Sequence, residues 1–170
     1  RNAMMGAMET GAVLYGPVKS AVDFETAMSG VAKQVDGARD DAGELTNVYY
    51  DMQEQVRETA LDMGVMPSKM ADTYAMTAKL GVQGSENIEK MSRAATMLGP
   101  AFEMDQTVVV EQLAQIGNGI GFSLKTEDGI NNLLDLADTI NYLDDQSVAK
   151  GQDIMDVMKR SSGMIREGSL

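Results

Sequence analysis

Residues Ala71–Gly99 read ADTYAMTAKLGVQGSENIEKMSRAATMLG. Ala71, Tyr74, Ala75 and Ala78 recur at threes and fours, the spacing of one face of an α-helix. Gly81 breaks the pattern. Ser85 then opens a second run, where its hydroxyl can accept from an amide that the first helical turn leaves free. Ile88, Met91, Ala95 and Leu98 make the second stripe. Glu86 precedes Lys90, and Glu89 precedes Arg93, at the i,i+4 spacing with the acid first, the order that supports a helix. The stretch is therefore a helical hairpin. Its second stripe should face Ala71, Ala75 and Ala78, with Glu89 on the outer side.

The same grammar runs outward in both directions. Upstream, Val13, Val18, Val22, Met28, Val31 and Val35 predict helix from Gly11 to Val35, with Pro17 starting or kinking it and Gly37 ending it. Asp41 to Glu44 has capping-box spacing. Leu45, Val48, Met52, Val56, Ala60 and Met63 then form a stripe that closes at Gly64. Ser68 is the expected N-cap of the next helix, which starts its apolar face at Met70. Downstream, Asp105 opens a helix with Val109, Leu113, Ile116 and Ile120 inward. "TVVV" within it has strand propensity, but the helical spacing continues past it. Thr126 opens a helix carrying Ile130, Leu133, Leu134, Ala137 and Ile140. Ser147 opens a last one with Ile154, Val157 and Met158 inward. A shift of about 38 residues lays Ala71 on Val109, Ala75 on Leu113, Ala78 on Ile116 and Gly81 on Gly119, so the hairpin repeats weakly. The expected fold is all-α, with about six or seven helices packed as hairpins in a bundle or a short solenoid-like array.

Composition removes many functions. The 170 residues carry 26 acids against 14 cations and a net charge of -12. Such a chain lacks the basic face that phosphate backbones and anionic lipids require. With no histidine and no cysteine, the usual general base, thiolate chemistry and the commonest soft metal ligands are missing. An enzyme would have to rest on Asp, Glu, Lys and Tyr alone. No apolar run is long enough to span a bilayer. The opening "RNAM" resembles a cloning scar ahead of a start methionine, so residues 1–10 are set aside and 11–170 are read as the helical fragment.

Few motifs carry chemistry. "NGIGFS", Asn118 to Ser123, follows a helix rather than a strand and has no Walker lysine, so it reads as a helix end and turn. The paired aspartates of "ARDDAGE" and "YLDDQS" lack the alternation and distal glutamate of a calcium loop. Tyr49, Tyr50 and Tyr142 are candidate interface anchors. There are 15 methionines, and Met63, Met66, Met70 and Met76 gather near one helix junction. There they could line an adaptable groove for a partner helix or peptide. No catalytic, cofactor-binding or metal-ligating residue is assigned, and no cofactor is expected.

Four stretches taken in order carry a family resemblance. They are "VKSAVDFETAMSGVAKQVDG" from Val18, "MGVMPSKMADTYAMTAKLGVQG" from Met63, "AATMLGPAFEMDQTVVVEQLAQIGNGIGFS" from Ala94 and "LADTINYLDDQSVAKGQDIMDVMKRSSGM" from Leu136. Together they resemble the conserved core region of phage tail tape measure proteins, a minor tail protein family. Pro100 departs from the pattern and should cut or kink its helix. The resemblance implies a non-enzymatic structural protein of a phage or prophage tail, made in the bacterial host cytoplasm. Such a protein occupies the tail lumen during assembly, templates tail length and leaves ahead of the DNA. The implied partners are the tail tube protein, tail assembly chaperones, tail tip or baseplate proteins, and further copies of the chain, without direct nucleic-acid binding or a membrane span. The competing class is a soluble helical-repeat adaptor using the methionine groove. Either way, far-UV circular dichroism should show a dominant helical signal that EDTA leaves unchanged; a large β component or unfolding on chelation would contradict the helix-only reading.

Overall fold

The computed structural model describes residues 19–146 and 150–167. The expectations for residues 1–10, for Val13, Pro17 and Val18, and for Ser147 as a helix opener fall outside the described residues. Helix α1 covers 19–34. It is followed by α2 (Asn47–Met63), α3 (Pro67–Lys79), α4 (Ser85–Ala101), α5 (Gln106–Ile120), α6 (Glu127–Gln146) and α7 (Gly151–Glu167). Among the described residues there is no strand, only an isolated bridge between Arg39 and Leu45. The fold is an all-α bundle.

The helix ends follow local chemistry, not always at the expected residue. Asp41 to Glu44 does not open α2. Gly43 sits at φ +84°, which breaks helical geometry inside the would-be capping box. Asp40 instead accepts from the amides of Ala42 and Glu44, both at 2.9 Å, and ties a turn. Helix α2 starts only after Thr46, whose hydroxyl donates to the Gly37 carbonyl. Its C-cap Gly64 is left-handed, as read. Ser68 is not the cap of α3 either. Pro67 takes the first helical position behind Met66, where a missing N–H costs nothing. Gly84, not Ser85, caps α4. Asp105 caps α5 through the amide of Thr107, and the Thr126 hydroxyl accepts from the Gly129 amide at 3.3 Å at the start of α6.

Most inward stripes are where periodicity put them. Ile88, Met91, Ala95 and Leu98 are buried, as are Val109, Leu113, Ile116, Ile130, Leu133, Ala137 and Ile140. Val22, Val48 and Val157 are not: they are 58%, 44% and 61% exposed. Val22 and Val157 each lie two residues from a buried anchor, Phe24 and Met155, and two residues turn a helix about 200° to its far side. The core face of α1 is Phe24, Ala27, Met28, Val31 and Ala32: Met28 and Val31 are inward as expected, and Phe24 takes the place that Val22 was expected to fill. Pro100 falls in the last turn of α4. There it leaves Leu98 buried, and the Leu98 carbonyl still accepts from Phe102 at 2.9 Å. Glu103, at φ +54°, then turns the chain toward α5.

Two hairpins, α3–α4 and α5–α6, pack on each other through α3 against α5 and α4 against α6. They reverse at left-handed glycines, Gly81 (φ +98°) and Gly121 (φ +95°). The residue matched by the sequence shift, Gly119, lies inside α5. Helix α7 lies on α5 and α6, with Gly151 directly beside the Phe102 ring. The bundle places Glu89 between helices, not on the outer face. Leu98→Ala should therefore cost about 2–5 kcal/mol by opening a core cavity. Glu89→Ala should cost about 1–3 kcal/mol by stripping charged hydrogen bonds, well above a surface helix pair. Urea denaturation of the two variants measures both.

Candidate functional site

A polar hub crosses the interface of α2, α3 and α4. Glu89 of α4 accepts from Arg93 at 2.8 Å, from Gln55 of α2 at 2.5 Å and from the Thr59 hydroxyl at 3.4 Å. Since that hydroxyl has one proton, the buried Thr59–Tyr74 contact of 3.0 Å is donated by the tyrosine. Arg93 also reaches Asp62 at 2.5 Å. Burial, reinforced by the Glu89 charge, pushes the Tyr74 phenol up to about 12. This arrangement orders three helices. Its polar groups engage one another across the three helices.

Helix α3 joins its other neighbours through hydroxyls. Thr77 meets Ser92 of α4 at 3.1 Å. The Gln106 amide of α5 donates to Thr73 and to the Lys69 carbonyl. Ala75, expected to face α4, faces α1: a Cβ on Gly30 would stand 3.3 Å from it. Sequence reading missed Thr59, Thr73, Thr77, Ser92 and Gln106, because polar letters interrupt an apolar stripe. The available signal was their spacing, since Thr73 and Thr77, like Ser92 and Thr96, repeat at i,i+4 on the buried face.

The methionine groove exists in altered form. A hollow of about 620 Å³ lies between α1, α3 and the start of α5. Met66 and Met76 line it, while Met70 is buried beneath and Met63 packs on the core. Lys69, Asp72 and Asp105 share its wall. Asp105 holds Lys69 at 3.2 Å, and hydrogen bonds from the Thr107 hydroxyl and amide, with help from Lys69, keep its carboxyl below the usual range. Burial and the nearby Asp105 push Asp72 the other way. Of the candidate anchors, Tyr49 is a core residue, edge-on to Tyr50 at 5.3 Å, while Tyr50 and Tyr142 are exposed. "ARDDAGE" is a hydrogen-bonded turn, and "NGIGFS" is a helix end and turn.

Among the described residues no group of acids comes together to hold a metal ion, and no helix is long and apolar enough to cross a membrane. The model of one family, described as phage-related minor tail protein, matches residues 53–168, from the middle of α2 to the end of α7. The chain belongs to that family. The match begins later than the resemblance, which started at Val18. No curated protein and no solved structure matches the chain. The family makes this a phage tail component of typically structural kind, with tail proteins as its surroundings.

The hub generates a pH dependence. Unfolded, Tyr74 loses its proton near its ordinary value of 10.0; folded, it keeps it to about 12. Its stabilising contribution is full below the lower value and is lost as pH rises through that window. Burial raises Tyr49 in the same direction. Urea midpoints of Tyr74→Phe should therefore fall less steeply than those of the parent chain across about pH 9 to 11, though not become flat.

Proposed function

We propose that this minor tail protein is part of a tape measure. In this reading it occupies the tail lumen during assembly, templates tail length and leaves on DNA ejection, without enzymatic activity. Residues 11–170 are then a helical fragment of the tape measure core region. Its neighbours are the tail tube protein, the assembly chaperones, the tip or baseplate proteins and further copies of itself. The observation that carries the reading is the family match over residues 53–168, laid on a fold in which helices α2 to α7 follow one another through short connections.

A ruler must be long and thin, and the bundle is neither. At 170 residues a compact domain has a radius of gyration of about 15–16 Å. One continuous helix of that chain would reach about 255 Å, with a diameter of about 10–12 Å. The hairpins are therefore one of two states, folded back when free and drawn out when confined. Gly64, Gly81 and Gly121, all at positive φ, are the hinges, since glycine moves between left- and right-handed regions at little cost. Gly99 does not serve: it is helical, and a Cβ there would stand 3.0 Å from the Met104 carbonyl oxygen.

In-frame deletion of Ser68 to Leu98 in the parent phage, read by electron microscopy of tail lengths, tests this. Roughly 31 residues at about 1.5 Å each shorten the tail by about 46 Å if the segment is extended. A clearly smaller loss means that it stays folded back. Viable particles with unchanged tails overturn the measuring role for this segment.

A further inference from the structure

Helix α1 is held to the bundle by shape more than by polar bonds. Its buried face is wholly apolar: Phe24, Ala27, Met28, Val31 and Ala32. The Phe24 ring lies under the Arg57 guanidinium of α2, 4.6 Å from its centroid. Gly30 meets α3, where a Cβ on the glycine would stand 3.3 Å from that of Ala75. The Gln53 amide of α2 donates to Glu25 at 3.3 Å. Among the described residues that is the one side-chain hydrogen bond from α1 to another helix, and α1 enters no ion pair. Two hollows, of about 620 and about 400 Å³, open along the seam with α3 and meet at Gly30, Ser68 and Asp72.

The seat selects this helix. A helix with a side chain in place of Gly30 would be crowded against Ala75, and packed interiors yield little to such crowding. The helix is also neutral: Lys19 and Lys33 balance Asp23 and Glu25, although the whole chain is at -12. Two bundles meeting face to face would bring like charges together. A second copy that delivers only its α1 avoids this, because it remakes contacts that the bundle already has. The connection to α2, residues 35–46, is closed by its own local bonds. Asp40 accepts from Ala42 and Glu44, and Thr46 donates to the Gly37 carbonyl. Opened, it spans about 40 Å at about 3.3 Å per residue, enough to carry α1 onto a neighbouring bundle.

We propose that α1 is exchangeable: the seat on α2 and α3 takes α1 of a second copy, giving a dimer in which each α1 lies on its partner's bundle. The interface is the one that the single chain already makes, reached by another chain. This gives the further copies in the proposed function a binding mode. It stands apart from the length-templating reading, since exchange is measured on the isolated chain and tail length in the phage.

The chain has no cysteine, so cysteines can be placed where α1 meets α3. Gly30→Cys and Ala75→Cys are made as separate chains, near disulfide spacing only when α1 of one copy sits on α3 of the other. They are mixed at high concentration in urea below the unfolding midpoint, returned to buffer and oxidised with oxidised glutathione. Peptide mass spectrometry should find the link between position 30 of one chain and position 75 of the other in at least about tenfold excess over 30-to-30 and 75-to-75 links. The double variant Gly30→Cys, Ala75→Cys, oxidised while dilute, should lock as a monomer, stay monomeric on concentration and dimerise once reduced. Sedimentation of the unsubstituted chain, which needs no variant to fold, should show a dimer after the same urea treatment that persists for hours on dilution. An unsubstituted chain that stays monomeric overturns the proposal. So does a dimer that dissociates within seconds of dilution, a dimer that the intramolecular lock leaves unchanged, or cross-links without the 30-to-75 preference, each of which marks a surface contact instead of exchange.

Discussion

The bundle depends on α3 being thin. It touches α2, α4 and α5 and meets α1 where Ala75 faces Gly30. Four neighbours approach one helix closely only when its side chains are short, and Ala71, Thr73, Thr77 and Ala78 provide that. Met70 and Tyr74 are the exceptions, large and fully buried, and the Tyr74 hydroxyl is the one part of either that requires a polar partner. The Tyr74–Thr59–Glu89 chain follows from that requirement. It places a carboxylate between helices, which in turn fixes Arg93 and through it Asp62. The hub is thus a result of packing a ring into a narrow interface, and this explains why a strongly acidic protein spends a cation there.

Thrift with cations shapes the rest of the surface. With acids in such excess, each well-placed Lys or Arg bridges elements that apolar contact alone would leave loosely oriented. Lys90 links α4 to the start of α6, Lys69 ties α3 to the cap of α5, and Lys150 joins the α6–α7 connection to Glu103. These exposed pairs add little stability singly. They fix orientation, and they leave whole stretches of α2 as uncompensated negative surface.

The hairpin stripes were legible because Ile88, Met91, Ala95 and Leu98 obey one period and burial follows period. Three classes of residue were not. Buried hydroxyls such as Thr77 and Ser92 count as polar letters, although a hydroxyl bonded to its own helix packs like a small apolar group. Valines such as Val22 and Val157 fit an inward stripe by period, but any one letter also fits the opposite face when larger neighbours choose the phase. Caps were misplaced by a residue or two at Ser68 and Ser85, where Pro67 and Gly84 overrode the serines. The methionine groove was half legible: the gathering of Met63, Met66, Met70 and Met76 marked a real junction. Which of them reach its surface depended on the crossing of α1 over α3, and no local pattern encodes that. The tail family showed only in the order of several weak landmarks, since no single stretch is more than a helix end.

Three of the buried threonines bond backward to a carbonyl one turn earlier: Thr73 to Lys69, Thr77 to Thr73, Thr96 to Ser92. Such a bond exists as soon as its own turn exists, before any neighbour arrives. Successive helices from α2 to α7 are also in contact in chain order. Together these favour local folding, in which each helix finds the one made just before it, while α7 docks chiefly on α5. A chain emerging from the ribosome can close link by link, without long waits for distant partners or exposed polar groups seeking one. The same sequence of links runs in reverse from an end, so the bundle can be taken apart a helix at a time, with the Tyr74 hydroxyl losing its Thr59 partner only when α2 departs.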